Sequence, residues 1–316
     1  MTRVLVTGAN GFVGRATGAA LVAAGHAVLG AVRGKADLPA GVTAVAASDL
    51  GPEADWRAAL DGVEAVIHTA ARVHQVRETE ADPEAAFHAV NAAGTRTLAE
   101  QAAAAGVRRF VFVSSIKVAG DGRADGQPYR DDDPPAPPDA YGRSKAAAEA
   151  ALAEIAARTG LEVVIVRPPL VHGPGIGANF GALVRLVARG VPLPFGAIDN
   201  RRSLVGVDNL AHALVHVTDH PAAAGRVLVV RDGEDVSTPE LIRRLARAMN
   251  RPARLIAVPP GLLRSGLRLL GRGAMADRLL GSLWVEDTAL RSTLGWQPPL
   301  SLDDGLRRAV AACRRC

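Results

Sequence analysis

The chain has 316 residues, 48% hydrophobic and 22% charged, enough for one large α/β unit or two domains with a full core. Its formal net charge is +5, yet the arginines are scattered and aromatics make up only 3%, which argues against nucleic acid and fits an anionic small substrate or an anionic membrane surface. No run of about 18 apolar residues occurs, so no membrane-spanning helix is expected; the first strand-like run begins at residue 3, so no secretory leader is expected and the cytoplasm is the expected location.

Residues 4–6 form a short apolar run, the mark of a buried parallel strand. Gly8, Gly11 and Gly14 follow at spacings of three, and a helical pattern starts among them. Glycine allows a tight turn and close backbone approach, and free N–H groups at a helix start favour phosphate. The spacing is G-x-x-G-x-x-G rather than G-x-G-x-x-G, and its place between strand and helix points to a dinucleotide cradle. A ligand-free glycine turn is the plainer alternative.

Strand-like runs at 4–6, 27–32, 42–46, 65–68, 110–113 and 163–166 alternate with helical stretches at 14–24, 83–105 and 140–158. Such alternation predicts an α/β fold with a doubly wound parallel sheet, whose ligands sit at the carboxyl ends of the strands. After the second strand, Arg33 stands where an acidic residue would select NAD. An arginine there suits the 2′-phosphate of NADP, so NADP is favoured; NAD is the alternative, with Arg33 stacked on adenine. His68 lies in an apolar strand and reads as a hydrogen-bonded core histidine; with His74, His172 and His212 it forms no metal-ligand pattern.

Tyr141 and Lys145 open the helix at 140–158, four residues apart and so on one face. An ammonium near the phenol would lower its pKa from about 10 toward working pH, fitting it to exchange a proton with an alcohol or carbonyl oxygen. The bland alternative is one tyrosine and one surface lysine on an ordinary helix.

Beyond residue 172 the pattern loosens, with a glycine-rich loop at 173–177, a helical stretch at 184–188 and extended runs at 203–207 and 227–230. From 259 to 283, Leu262, Leu263, Leu267, Leu269, Leu270, Leu279 and Leu280 mix with Arg264, Arg268, Arg272 and Arg278. This basic amphipathic pattern fits packing on the protein's own body or peripheral contact with a membrane. Cys313 and Cys316 form a lone C-x-x-C without further ligands nearby, so a reduced tail is expected and no metal.

Taken together these motifs resemble the extended short-chain dehydrogenase/reductase family, the sugar-nucleotide epimerases, dehydratases and reductases. The matching segments run in family order: the glycine turn, 66–71, Asn91 within 90–95, the serines of 110–120, Tyr141-Gly-Arg-Ser-Lys145, 167–174 and 202–210. The resemblance implies a Rossmann domain over 1–172 and a smaller C-terminal substrate lobe over 173–316, with segments returning to the main sheet. It implies Tyr141 as acid/base, Lys145 on the nicotinamide ribose, and Ser115, in preference to Ser114, on the reacting oxygen. Cofactor contacts would come from Gly8, Asn10, Gly11, Phe12, Val13, Gly14, Arg33, Asp49, Leu50, Ala70, Ala71, Asn91, Pro168 and Leu170, besides Tyr141 and Lys145. Asn179 and Arg202, with Ser115, would hold the substrate, the first two at its diphosphate. His172 and Ala119 replace tyrosines frequent in the family, which leaves the sugar open.

Within the family, 192–205 is similar to a bacterial surface-polysaccharide subgroup. The first expectation is therefore hydride transfer at C4 of a nucleotide-linked sugar, UDP favoured, as reduction of a UDP-4-keto-(6-deoxy)-N-acetylhexosamine. The alternatives are a UDP-hexose or N-acetylhexosamine 4-epimerase, a reductase or dehydrogenase of a non-sugar alcohol and, last, a noncatalytic NAD(P)-binding regulator. A homodimer built on helices 83–105 and 140–158 is implied as well.

Overall fold

A computed structural model describes residues 1–73, 82–123, 126–271 and 273–313; the side chains of 178, 179, 274, 275, 278 and 313 lie outside the description, so Cys313 and Cys316 are not considered further. The strands are β1 (Arg3–Thr7), β2 (Ala27–Val32), β3 (Val42–Ala46), β4 (Ala65–His68), β5 (Arg109–Val113), β6 (Glu162–Arg167), β7 (Leu170–His172), β8 (Arg202–Gly206), β9 (Val227–Val229) and β10 (Asp235–Val236). The helices are α1 (Phe12–Ala23), α2 (Pro83–Phe87), α3 (Gly94–Ala104), α4 (Ala140–Thr159), α5 (Ala178–Arg189), α6 (Val207–Asp219), α7 (Thr238–Ala248), α8 (Pro260–Leu269), α9 (Gly273–Leu280) and α10 (Leu302–Cys313).

The main sheet has seven strands in the order β3-β2-β1-β4-β5-β6-β9, all parallel. This is the doubly wound Rossmann architecture that the alternating runs predict. β4 and β5 are buried along their whole length, as a sheet covered on both faces requires. One face packs Leu21, Leu210, Leu214, Val217 and Trp296 against the strands. The other packs Trp56, Leu60, Leu98, Leu152 and Ile155.

From residue 170 the chain passes between two sheets more than once. β7 belongs to a second sheet of three strands, β10-β8-β7, with its own core of Phe180, Val184, Leu204, Leu241, Leu245 and Leu306. α6 covers the main sheet and β9 pairs with β6, so chain from beyond residue 172 completes the main sheet.

Local chemistry sets the helices that carry the site. α4 begins where the Asp139 carboxylate accepts the Gly142 N–H at 2.8 Å, and ends at Gly160 with φ 75°. Both are ordinary helix ends, an acidic N-cap at the start and a left-handed glycine at the stop. The stretch read as one helix from 83 to 105 is α2 and α3 joined by a π-helical segment, His88–Ala93. That segment carries Asn91, and such bulges recur at functional sites.

Candidate active site

β1 runs into the glycine turn, and the turn closes on the end of β4. Gly8 has φ +67°, and a Cβ there would lie 2.9 Å from the backbone N and Cα of Ala70. A Cβ on Gly14 would lie 2.1 Å from the Gly8 carbonyl oxygen. Neither position has room for a side chain, so strand and helix meet at backbone contact. No side chain caps the start of α1 and its first turn holds no acidic residue. An anion therefore meets N–H groups and a positive helix end there. A cleft lined by Asn10, Gly11, Phe12 and Arg15, with Pro174, Gly175, Val207 and Asp208 opposite, opens beside this turn. The cradle fits the pyrophosphate of a dinucleotide.

Asn91 clamps the neighbouring wall. Its side chain accepts from the Arg72 N–H at 2.8 Å and donates to the Arg72 carbonyl at 3.0 Å and to Ser144 Oγ at 3.0 Å. One buried amide thus ties the chain after Ala70 and Ala71 to α4. Pro168 accepts the Ile116 N–H at 3.0 Å, joining the ends of β5 and β6. Leu170 is exposed and pairs with Leu204 in the second sheet.

The two serines after β5 point to different partners. Ser115 hydrogen-bonds the Tyr141 phenol and accepts the Lys117 N–H at 3.2 Å. Ser114 donates to Glu149 Oε1 at 2.5 Å, and Arg167 grips the same carboxylate at 3.1 and 2.6 Å. Glu149 follows Lys145 by one helical turn, so α4 aligns Tyr141, Lys145 and Glu149 on one face. Neither Glu149 nor Arg167 was singled out from sequence, although the i, i+4 spacing after Lys145 was there to be read.

The electrostatics correct one expectation. Lys145 does not lower the Tyr141 pKa here; burial pushes the phenol up to about 12, the Asp139 charge adds to this, and the Ser115 hydrogen bond opposes it. Burial also pulls Lys145 down to about 7, against the raising influence of Glu149. The lysine is 2% exposed, its Nζ donates to the Val113 carbonyl at 2.9 Å, and it sits 4.4 Å over the Phe112 ring. Removal from water is the largest cause of both shifts. Beneath them His68 is fully buried, stacked on Phe112 and hydrogen-bonded to Thr7 and Thr95 at 2.6 and 3.0 Å. It is the satisfied core histidine expected, held neutral by burial and Lys145, with its pKa lowered to about 3.

Arg33 and Asp49, assigned to the adenosine end, form an exposed ion pair at 2.9 Å, while Leu50 is half-buried near Gly94. On the substrate side, Arg202 is half-buried, its Nη1 donates to the Gly281 carbonyl at 3.3 Å, and burial lowers its pKa while Asp121 opposes this. Asp121 binds Lys117 at 3.0 Å, and Lys117 binds Asp139, the cap of α4, at 2.9 Å. A relay of alternating charge therefore runs from Arg202 to the foot of Tyr141. The backbone of Asn179 lies in the first turn of α5, and its side chain is outside the described residues. His172 faces away from the cleft's chemistry: it binds Asp232 at 2.8 Å, stacks on Phe180 and fills the space over Gly305. Ala119 is buried beside Ile116 and Tyr129.

A glycine cradle at the first switch of a doubly wound sheet, facing a tyrosine–lysine helix, is the arrangement of extended short-chain dehydrogenases/reductases. The chain belongs to the NAD dependent epimerase/dehydratase family, which it matches over residues 4–230, and it is an NAD-dependent enzyme of that family. It is 42% identical to a UDP-glucose 4-epimerase of Vibrio cholerae, over 98% of this chain and 94% of that protein. It is 32% identical to a 3-diazoavenalumate denitrifying reductase of a Streptomyces species, over 97% and 99% of the two chains. Among solved structures it is similar to MoeE5 in complex with UDP-glucose and NAD, at TM-score 0.76 and 26% identity over 99% of both chains. No described helix is long and apolar enough to cross a membrane.

Proposed function

We propose that this protein is a 4-epimerase of a UDP-linked hexose or N-acetylhexosamine that keeps its NAD through the cycle. The observation that carries hydride chemistry is the convergence of Ser115 and Lys145 with Tyr141 at the carboxyl end of β5, across from the glycine cradle. NAD, held by Gly8, Gly11 and Gly14 with Asn91 bracing the adjoining wall, would supply the hydride acceptor and donor. Tyr141 takes the proton of the C4 hydroxyl as the C4 hydride leaves, and gives it back to the 4-keto oxygen when hydride returns to the other face. Ser115 steadies that oxygen as charge changes on it. The Ser115 hydrogen bond also favours the ionised phenol, and Lys145 would hold the nicotinamide ribose hydroxyls. Arg202, and Asn179 by resemblance, would hold the UDP diphosphate, so the sugar can turn while its handle stays fixed.

The expectation of NADP rests on Arg33. Its pairing with Asp49 at 2.9 Å places a carboxylate beside the guanidinium, which offsets its attraction for a 2′-phosphate. The similarity to an epimerase over almost the whole chain weighs in the same direction. Net reduction of a 4-keto sugar is the second reading, favoured by the similarity to a reductase. The division into a dinucleotide domain to residue 172 and a substrate lobe beyond it, and a homodimer through α3 and α4, belong to this reading too. Light scattering at micromolar concentration checks the dimer.

The functional test is to incubate the purified protein with UDP-glucose and with UDP-N-acetylglucosamine, following the sugar anomeric protons by NMR. Conversion to the galacto epimer without added cofactor is expected. Absence of conversion, with NADPH consumed in the presence of a UDP-4-keto-sugar, would replace the epimerase reading by the reductase one.

A further inference from the structure

α8 is exposed in a way that the other helices are not. None of its ten residues is buried, whereas α7, of similar length, buries Leu241, Ile242, Leu245 and Ala246. Leu262, Leu269 and Leu270 are 66%, 88% and 72% exposed. Leu262 and Leu269 are seven residues apart, two helical turns, so they share a face. Leu263 and Leu267 are half-buried and seat the helix on the body. The leucine-rich pattern read from sequence is thus only partly spent on the protein's own core.

The sequence of this segment is one-sided in charge. From 259 to 283 the sequence carries Arg264, Arg268, Arg272 and Arg278 against the single acid Asp277. Arg264 and Arg268 share that carboxylate loosely, at 3.8 and 4.0 Å, with side chains 46% and 62% exposed. A second copy docking here about a two-fold axis would bring like-charged arginines together. An anionic lipid surface complements both features, since leucines enter the headgroup–acyl boundary and arginines meet lipid phosphates.

We infer that α8 docks the protein on an anionic bilayer surface, with Leu262, Leu269 and Leu270 inserted and Arg264 and Arg268 on the headgroups. The end of α9 is pinned to the segment that carries Arg202: Asn200 donates to the Leu279 and Gly281 carbonyls at 3.2 and 3.0 Å. Docking through α8 therefore holds the substrate lobe at the surface, while the glycine cradle belongs to the main sheet.

The test is flotation of the full chain with phosphatidylcholine vesicles, plain or containing about one-third phosphatidylglycerol. The protein should float with the anionic vesicles and stay down with the plain ones. Leu269→Glu with Leu270→Glu should cut partitioning by about tenfold or more, and Arg264→Gln with Arg268→Gln should remove the preference for anionic lipid. Both variants should keep the melting temperature and the turnover of a soluble UDP-sugar. The inference is overturned by no flotation with either vesicle, or by flotation that survives the leucine changes. It is equally overturned if the leucine changes halve the mass in light scattering and lipid binding is absent, which would assign the face to a second copy.

Discussion

Gly14 and Gly266 both lie within helices, yet they answer to opposite constraints. A Cβ on Gly14 would strike the Gly8 carbonyl at 2.1 Å, whereas a Cβ on Gly266 would meet nothing within 4 Å. The first glycine lets two backbones touch in the turn between β1 and α1. The second sits on α8, at a position that nothing approaches. The contrast separates residues fixed by a backbone contact from residues that the fold itself leaves free. Glycine as a residue type therefore carries little information until its surroundings are known.

Five changes sharpen that contrast, and the largest effect belongs to the chemistry. Tyr141→Phe should lower turnover by about 10²–10⁴-fold with little change in retained cofactor, since the ring stays and only the proton carrier goes. Leu269→Ala on α8 should leave turnover with a soluble UDP-sugar untouched. Rates measured side by side check this; a Tyr141→Phe enzyme with most of its activity would remove the tyrosine from the mechanism.

Gly14→Ala comes next. It should cost about 1–3 kcal/mol of stability through forced backbone movement, and should empty the cradle of dinucleotide. Denaturant unfolding together with the absorbance of released nucleotide reads both effects. Wild-type stability and full cofactor content in this variant would contradict the contact at Gly8.

The pH dependence follows from His68. Its pKa falls from 6.5 to about 3 in the fold, so the unfolded chain takes up a proton in that interval while the folded one does not. Stability contributed by the neutral ring is complete above about pH 6.5 and is lost as pH falls, by at most about 1.4 kcal/mol per pH unit. Denaturant unfolding between pH 7 and about pH 4 should show that slope, and His68→Asn should reduce it whatever its own effect on stability. An unchanged slope in the variant would mean that His68 is not the group that titrates.

The smallest effect lies at the other end of the comparison. Gly266→Ala should stabilise the protein by about 0.5–1 kcal/mol, as alanine lowers the entropy of the unfolded chain and nothing obstructs it. Destabilisation here would mean that a partner surface already lies against α8.

Much of this was legible in the sequence. Parallel strands covered on both faces are continuous apolar runs, so β1, β2, β4, β5 and β6 could be read directly. Tyr141 and Lys145 could be put on one helical face from spacing alone. Whether a phenol is raised or lowered depends on how much water the fold removes, which spacing does not contain; that is why the direction of the Tyr141 shift was misread. The Glu149–Arg167 pair and the Arg33–Asp49 pair join different elements, and only the folded chain brings each together. His172 is similar: its partner Asp232 lies sixty residues away in sequence.

The central claim is that C4 of a UDP-sugar gives up and regains its own hydride beside Tyr141 while the cofactor stays bound. The most direct measurement is epimerisation of a UDP-hexose carrying deuterium at C4, with unlabelled NAD or NADPH present in excess. Deuterium kept at C4 of the product, with no label in the free cofactor, is the predicted result. Label lost to the free cofactor pool, or a product reduced at the expense of NADPH, would contradict it.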